Sequence, residues 1–197
     1  DQACGDAVLN LEPACAESAD PNRTMLGDAQ EQWLVDTLTE STAQWNVIGN
    51  QVVMANATLN GAVLNYDQWD GYPVARQRLL STLDTAGVQN LIVITGDIHL
   101  AAVAHLRTAD ASVGVEFVTT SISSGANLNP ELTDLLKGFP DLVDAELAHR
   151  GYTFHTVTPE LWTAEYRIVT DVAAPDSEVT TFGLYAVESG SNTVAAV

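Results

Sequence analysis

The chain has 197 residues, the size of one large domain or two small ones. Hydrophobic residues make up 46% and charged residues only 17%, which excludes a charge-rich disordered chain and a coiled coil. Seven Lys+Arg against 26 Asp+Glu leave a net charge of −19, so neither a basic nucleic-acid-binding surface nor docking to an anionic membrane is expected.

Residues 1–22 read as a loop segment in which Asp, Pro and Ala dominate. Its two cysteines, Cys4 and Cys15, lie close together without metal-ligand spacing. A local disulfide formed in an oxidising compartment is expected, with two unpaired thiols as the alternative. No signal peptide is visible and the sequence starts at Asp1 and not at Met, so a processed product or a fragment is expected. No apolar stretch approaches the ~20 residues of a membrane span. Lys137 is the only lysine; an acidic, lysine-poor surface suits a saline environment, and an arginine-biased genome accounts for it equally well.

From Gly27 the helix signals begin. Asp28 can cap a helix with Glu31 as its capping-box partner, and Trp33, Leu34 and Leu38 mark an inward stripe running to about Ser41. Trp45–Met54 is rich in β-branched residues and predicts a buried strand. The polar loop 55–71 is long enough to suggest a functional role. Pro73 opens a second helix with Leu79, Leu80 and Leu83 facing inward, and Gly87 stops it.

Leu91–Thr95 is an apolar run typical of a strand covered on both faces, and with the preceding strand and helix it forms a βαβ unit with parallel strands. Further strands are expected at 101–107 and 113–119. Short helices are expected at 130–137 and 141–148. Antiparallel strands are expected at 152–158, 162–169 and 179–187.

The sharpest chemical signal is Thr95-Gly96-Asp97-Ile98-His99. In extended backbone, positions i and i+2 point to the same side, so Asp97 and His99 should converge at the carboxyl end of a buried strand, where open α/β sheets bind ligands. A carboxylate and an imidazole together suit iron, manganese or zinc, and the carboxylate alone also suits calcium. The bland alternative is an aspartate capping a turn beside a hydrogen-bonded histidine. His105, His149 and His155 read as structural or surface residues. Ser121, Ser123 and Ser124 lack the Gly-x-Ser-x-Gly elbow of a serine hydrolase.

Other segments stand in a telling order. They are Arg23–Gly27, Gln30–Leu34, Trp45–Met54, Trp69-Asp70-Gly71-Tyr72-Pro73 with Arg76 and Arg78, Thr95–His99, Thr119–Ser124, Arg150-Gly151-Tyr152 and Val157–Pro159. Over about residues 23–170 this set resembles the C-terminal half of the PhoD-type alkaline phosphatases, secreted enzymes of the metallophosphoesterase superfamily.

The resemblance implies an α/β fold, part of a four-layer α/β/β/α sandwich, with residues 23–197 as the C-terminal part of the catalytic domain. It implies hydrolysis of phosphate mono- and diesters by metal-activated water, with calcium and ferric iron as cofactors and a small phosphate ester as substrate. The expected location is secreted, periplasmic or cell-surface. It carries metal-ligand roles onto Asp97 and His99. Trp69, Asp70 and Tyr72 match a family motif, with a site-proximal or loop-shaping role, or plain packing, expected of them. The family's other ligands, an aspartate, a cysteine and a tyrosine among them, belong to a first half without counterpart here, and Cys4 and Cys15 cannot replace that cysteine. Little or no turnover is therefore expected of this chain alone. The rival expectation is an extracellular domain that keeps the fold and has lost its dinuclear site.

Overall fold

The computed structural model describes residues 3–5, 13–125, 136 and 138–197. A five-stranded sheet forms the centre, built from β1 (Asn46–Gly49), β4 (Leu91–Thr95), β5 (Ala101–Arg107), β6 (Ser112–Val118) and β7 (Leu142–Glu146). Its order is β1-β4-β6-β5-β7: β1, β4 and β6 run parallel, and β5 is antiparallel to both neighbours. Two helices, α1 (Asp28–Thr39) and α2 (Pro73–Thr85), pack on one face. On the other face lies an antiparallel sheet of β8 (Arg150–Val157), β9 (Leu161–Val169), β10 (Val179–Glu188) and β11 (Ala195–Ala196). The described residues thus form three layers, helices, sheet and sheet, with no helix on the outer face of the second sheet.

The period of two along the central strands separates the layers. Leu91 and Val93 of β4 pack with Leu79, Leu80 and Leu83 on the helix side. Ile92 between them joins Val115 and Phe117 against Trp162, Ala164, Tyr166 and Tyr185 of the second sheet. Gly151 is a close-approach position: a Cβ there would meet the Arg167 carbonyl oxygen of the neighbouring strand at 1.9 Å.

Four elements depart from the sequence expectations. The strand expected over 45–54 ends at Gly49, because the backbone N–H groups of Val53, Met54 and Ala55 donate to side chains instead of to a strand partner. The loop after it contains a small hairpin of β2 (Thr58–Leu59) and β3 (Ala62–Val63) and a 3-10 turn at Trp69–Gly71. The helix expected over 141–148 is β7, which pairs with the edge of β5; the available sheet edge overrides the helix propensity of its Ala and Glu. At the start of α1, Gly27 occupies the N-cap and no side chain caps the helix. Glu31 instead reaches across to α2, where its two oxygens receive Nε and Nη2 of Arg78 at 2.7 and 2.8 Å. Trp33 is 61% exposed and does not face inward. The helix expected over 130–137 lies outside the described residues except for Leu136, which is buried.

Cys4 and Cys15 are joined as a disulfide beside Ala3, Val63 and Tyr66. His155 sits between Phe117 and Trp162, ring centroids 5.4 and 5.5 Å away, and its Nδ1 accepts the Trp162 indole N–H at 3.0 Å. Burial holds its pKa below the ordinary histidine value. The unfolded chain therefore binds the proton first as pH falls. This histidine's stability contribution is complete above the unfolded value near 6.5 and is lost as pH falls towards the lower folded value. We expect His155→Phe to flatten the pH dependence of stability below about pH 6.5, read from urea midpoints across that range. An unchanged slope would exclude His155 as its source.

Candidate functional site

Gly96, Asp97, Ile98 and His99 leave the carboxyl end of β4 as a tight bend. Asp97 has φ 73° and His99 φ 57°, and the Ile98 N–H returns to the Gly96 carbonyl at 3.0 Å. The extended geometry expected for this segment is therefore absent. Left-handed backbone costs roughly 1–2 kcal/mol per non-glycine residue, and such strain gathers where a site demands it.

The bend gives the two side chains different partners. Asp97 is exposed, and its Oδ2 accepts the Gln68 Nε2–H at 2.8 Å. His99 places Nδ1 3.0 Å from the Gly125 carbonyl oxygen. A carbonyl only accepts, so Nδ1 carries the hydrogen and the neutral ring presents an unprotonated Nε2. Both residues keep a donor atom for a metal, Oδ1 of Asp97 and Nε2 of His99. Among the described residues no group of three or more His, Cys, Asp or Glu side chains gathers around them or elsewhere.

Three buried polar residues build the surroundings; the sequence singled out neither Gln68 nor Glu116, and it marked Arg150 only as part of the Arg150-Gly151-Tyr152 segment. Glu116, in the middle of β6, is fully buried. Its carboxylate accepts the N–H groups of Met54 (2.9 Å) and Ala55 (2.7 Å) and the Thr95 hydroxyl (2.6 Å). Burial pushes its pKa up, and these donors and the Arg76 charge oppose that. Gln68, 4% exposed, accepts the Val53 N–H at Oε1 (2.6 Å). Arg150, 5% exposed, gives Nη1 to the His99 carbonyl at 2.7 Å and Nη2 to the Leu147 and Ala148 carbonyls, tying the bend to the β7–β8 turn. Their partners lie 15 to 62 positions away for Gln68 and Glu116 and 51 for the Arg150–His99 bond, so no local spacing could reveal them.

Trp69 is packed in the core, with its backbone N–H on the Val53 carbonyl. Asp70, 2% exposed, accepts the Ala57 N–H at 2.8 Å and pairs with Arg76; burial raises its pKa against the pull of Arg76. The Tyr72 ring lies under the Arg23 guanidinium, 4.9 Å from its centroid. Beside the bend opens a cavity of about 370 Å³. Val53, Leu64, Ile98, Leu100, Phe139 and Leu142 make its walls mostly apolar, and Asn56, Asn65, Gln68 and Asp70 add polar groups.

The other histidines have separate settings. Nε2 of His105 accepts the Val194 N–H at 3.3 Å, and burial, with Arg107 nearby, lowers its pKa. His149 pairs with Glu146 at 2.9 Å. The Ser121 hydroxyl donates to the Ser124 carbonyl.

Comparison with known proteins decides the family. The PhoD-like phosphatase family matches residues 1–166. The chain belongs to the PhoD-like phosphatases. It is 38% identical over 192 aligned residues to alkaline phosphatase D of Bacillus subtilis, an alignment covering 92% of this chain and 32% of that protein. The solved structure of a PhoD superposes with a TM-score of 0.88 at 35% identity, covering all of this chain and 39% of that one. A purple acid phosphatase from yellow lupin seeds shares the fold, with a TM-score of 0.51 at 14% identity, over 82% of this chain and 28% of its own. The architecture is the metallophosphoesterase fold. The chain spans about a third of the length of the curated relative it matches.

Because Glu116 satisfies two buried backbone donors and a hydroxyl, Glu116→Ala should destabilise the fold by about 3 kcal/mol or more. Glu116→Gln can keep an oxygen on the Ala55 N–H and turn its amide towards the Thr95 oxygen, so about 1 kcal/mol is expected. Urea unfolding of both variants checks the order; equal losses would mean that the backbone donors find other partners.

Proposed function

We propose that this chain supplies Asp97 and His99 as metal ligands to a phosphoesterase that hydrolyses phosphate mono- or diesters. The observation that carries the reading is the donor set at the β4 bend: a carboxylate held through one oxygen only, and an imidazole whose Nδ1–H is committed to a carbonyl. These are the donors that iron, manganese or zinc accept, and calcium accepts the carboxylate. A bound cation of this kind offsets phosphoryl charge and lowers the pKa of water. The chain's own residues fix the tautomer of His99, direct one lone-pair face of Asp97 outward, and anchor the bend through Arg150.

Two donors are fewer than the four to six that such ions usually need, so further donors have to come from outside the described residues. The Cys4–Cys15 pairing and the acidic composition suit a secreted, periplasmic or cell-surface location.

The test assays the 197-residue chain and the full product of its gene on p-nitrophenyl phosphate and bis(p-nitrophenyl) phosphate at alkaline pH, with calcium and iron and then with chelator. Little turnover is expected of the 197-residue chain, and chelator-sensitive turnover of the full product. Asp97→Asn or His99→Ala should lower the latter by more than the roughly 10–100-fold that loss of an outer hydrogen bond costs. Full activity in both variants would refute the ligand assignment. A metallated, inactive full product would favour a domain that keeps the fold without the chemistry.

A further inference from the structure

The hydrogen bonds around Gln68 run in one direction. Glu116 holds the N–H groups of Met54 and Ala55, which fixes the loop that carries Val53. The Val53 N–H points at Gln68 Oε1 (2.6 Å), and the Val53 carbonyl receives the Trp69 N–H (3.1 Å). An N–H can face only the oxygen end of an amide, so the Gln68 side chain cannot flip. Its NH₂ must face Asp97, whose Oδ2 lies 2.8 Å from Nε2. A second route ends at the same carboxylate: Thr95, two residues before Asp97, donates its hydroxyl to Glu116.

We propose that Gln68 is a positioning residue for Asp97. Its amide, oriented by the Val53 N–H on the Glu116-anchored loop, selects one rotamer of an otherwise exposed carboxylate and leaves Oδ1 as the atom offered to a metal. The consequence for metal binding rests on Asp97 being a ligand; the positioning itself does not. Outer hydrogen bonds of this type orient ligands and typically contribute 10–100-fold in metal affinity.

The informative substitution is Gln68→Glu. It keeps an oxygen for the Val53 N–H, and therefore the loop, but turns the group facing Asp97 from a donor into a second anion. Three-bond couplings across Cα–Cβ of Asp97 are measured by NMR in the metal-free chain at pH 8. In the unsubstituted chain they should report a single rotamer, and in Gln68→Glu an average over several, with the Val53 amide resonance nearly unmoved. Gln68→Met, which offers no donor and only a weak sulfur acceptor, should give the same averaging, and in the full product of the gene it should weaken Mn²⁺ binding about 10-fold or more. Asp97 couplings unchanged in Gln68→Glu, or already averaged in the unsubstituted chain, would overturn the proposal. Because the couplings are read without metal, failure of the unsubstituted full product of the gene to bind Mn²⁺ would count against the ligand reading alone, separably from the rotamer result.

Discussion

Segment 53–57 is mostly buried and belongs to no strand, yet its backbone donors cannot go unpaired. A buried N–H without a partner costs about 1–3 kcal/mol, and nearly all are satisfied in folded proteins. Here the acceptors are side chains from three distant places: Gln68 for Val53, Glu116 for Met54 and Ala55, and Asp70 for Ala57. Two of the three are carboxylates almost wholly removed from water, an arrangement that desolvation opposes. Arg76 offsets that cost: it pairs with Asp70, and its charge also favours ionised Glu116. Remove this cluster and the loop loses its conformation, and with it the amide that meets Asp97.

The same device explains what the sequence disclosed and what it hid. Apolar period reports burial, and burial was legible: Leu91–Thr95, the inward leucines of α2 and the antiparallel strands at the end of the chain all lie where the pattern puts them. Period does not report where backbone hydrogen bonds go. Val53 and Met54 look like the end of a strand because they continue an apolar run rich in β-branched residues, but their N–H groups donate to side-chain acceptors. Residues 141–148 could form either element, and the free edge of β5 decided for a strand. Glu31 fitted a capping box until Arg78, 47 positions later, offered a charged fork.

At the proposed site, residue type and strand-end position single out Asp97 and His99, although the backbone there is a left-handed bend and not the extended segment expected. Extended backbone would have put both side chains on one side automatically. The left-handed bend instead requires each to be held separately, by Gln68 and by Gly125. Those holders are named by tertiary contact alone, which is why Gly-Asp-Ile-His read as a self-contained ligand pair discloses neither Gln68 and Glu116 nor the bond from Arg150 to the bend.

The distribution of positive charge narrows how a phosphate ester could be met. Arg23, Arg76, Arg78, Arg107 and Arg167 each lie within ion-pair distance of an acidic side chain, and Arg150 is spent on backbone carbonyls and Ser121. The seventh basic residue, Lys137, falls outside the described residues. No described arginine is thus left to form the bidentate clamp by which proteins usually hold phosphate, and a net charge of −19 repels the anion at long range. Attraction has to be generated locally and with high charge density. An anionic oxygen and an unprotonated imidazole nitrogen at one strand end attract a cation, and a cation held there reverses the sign of the field that an incoming phosphate meets. Among the described residues, the β4 bend is where the acidity of this chain and its proposed activity on anionic esters meet, which makes the orientation of Asp97 and His99 the point at which loss of a single hydrogen bond should be felt in binding before it is felt in folding.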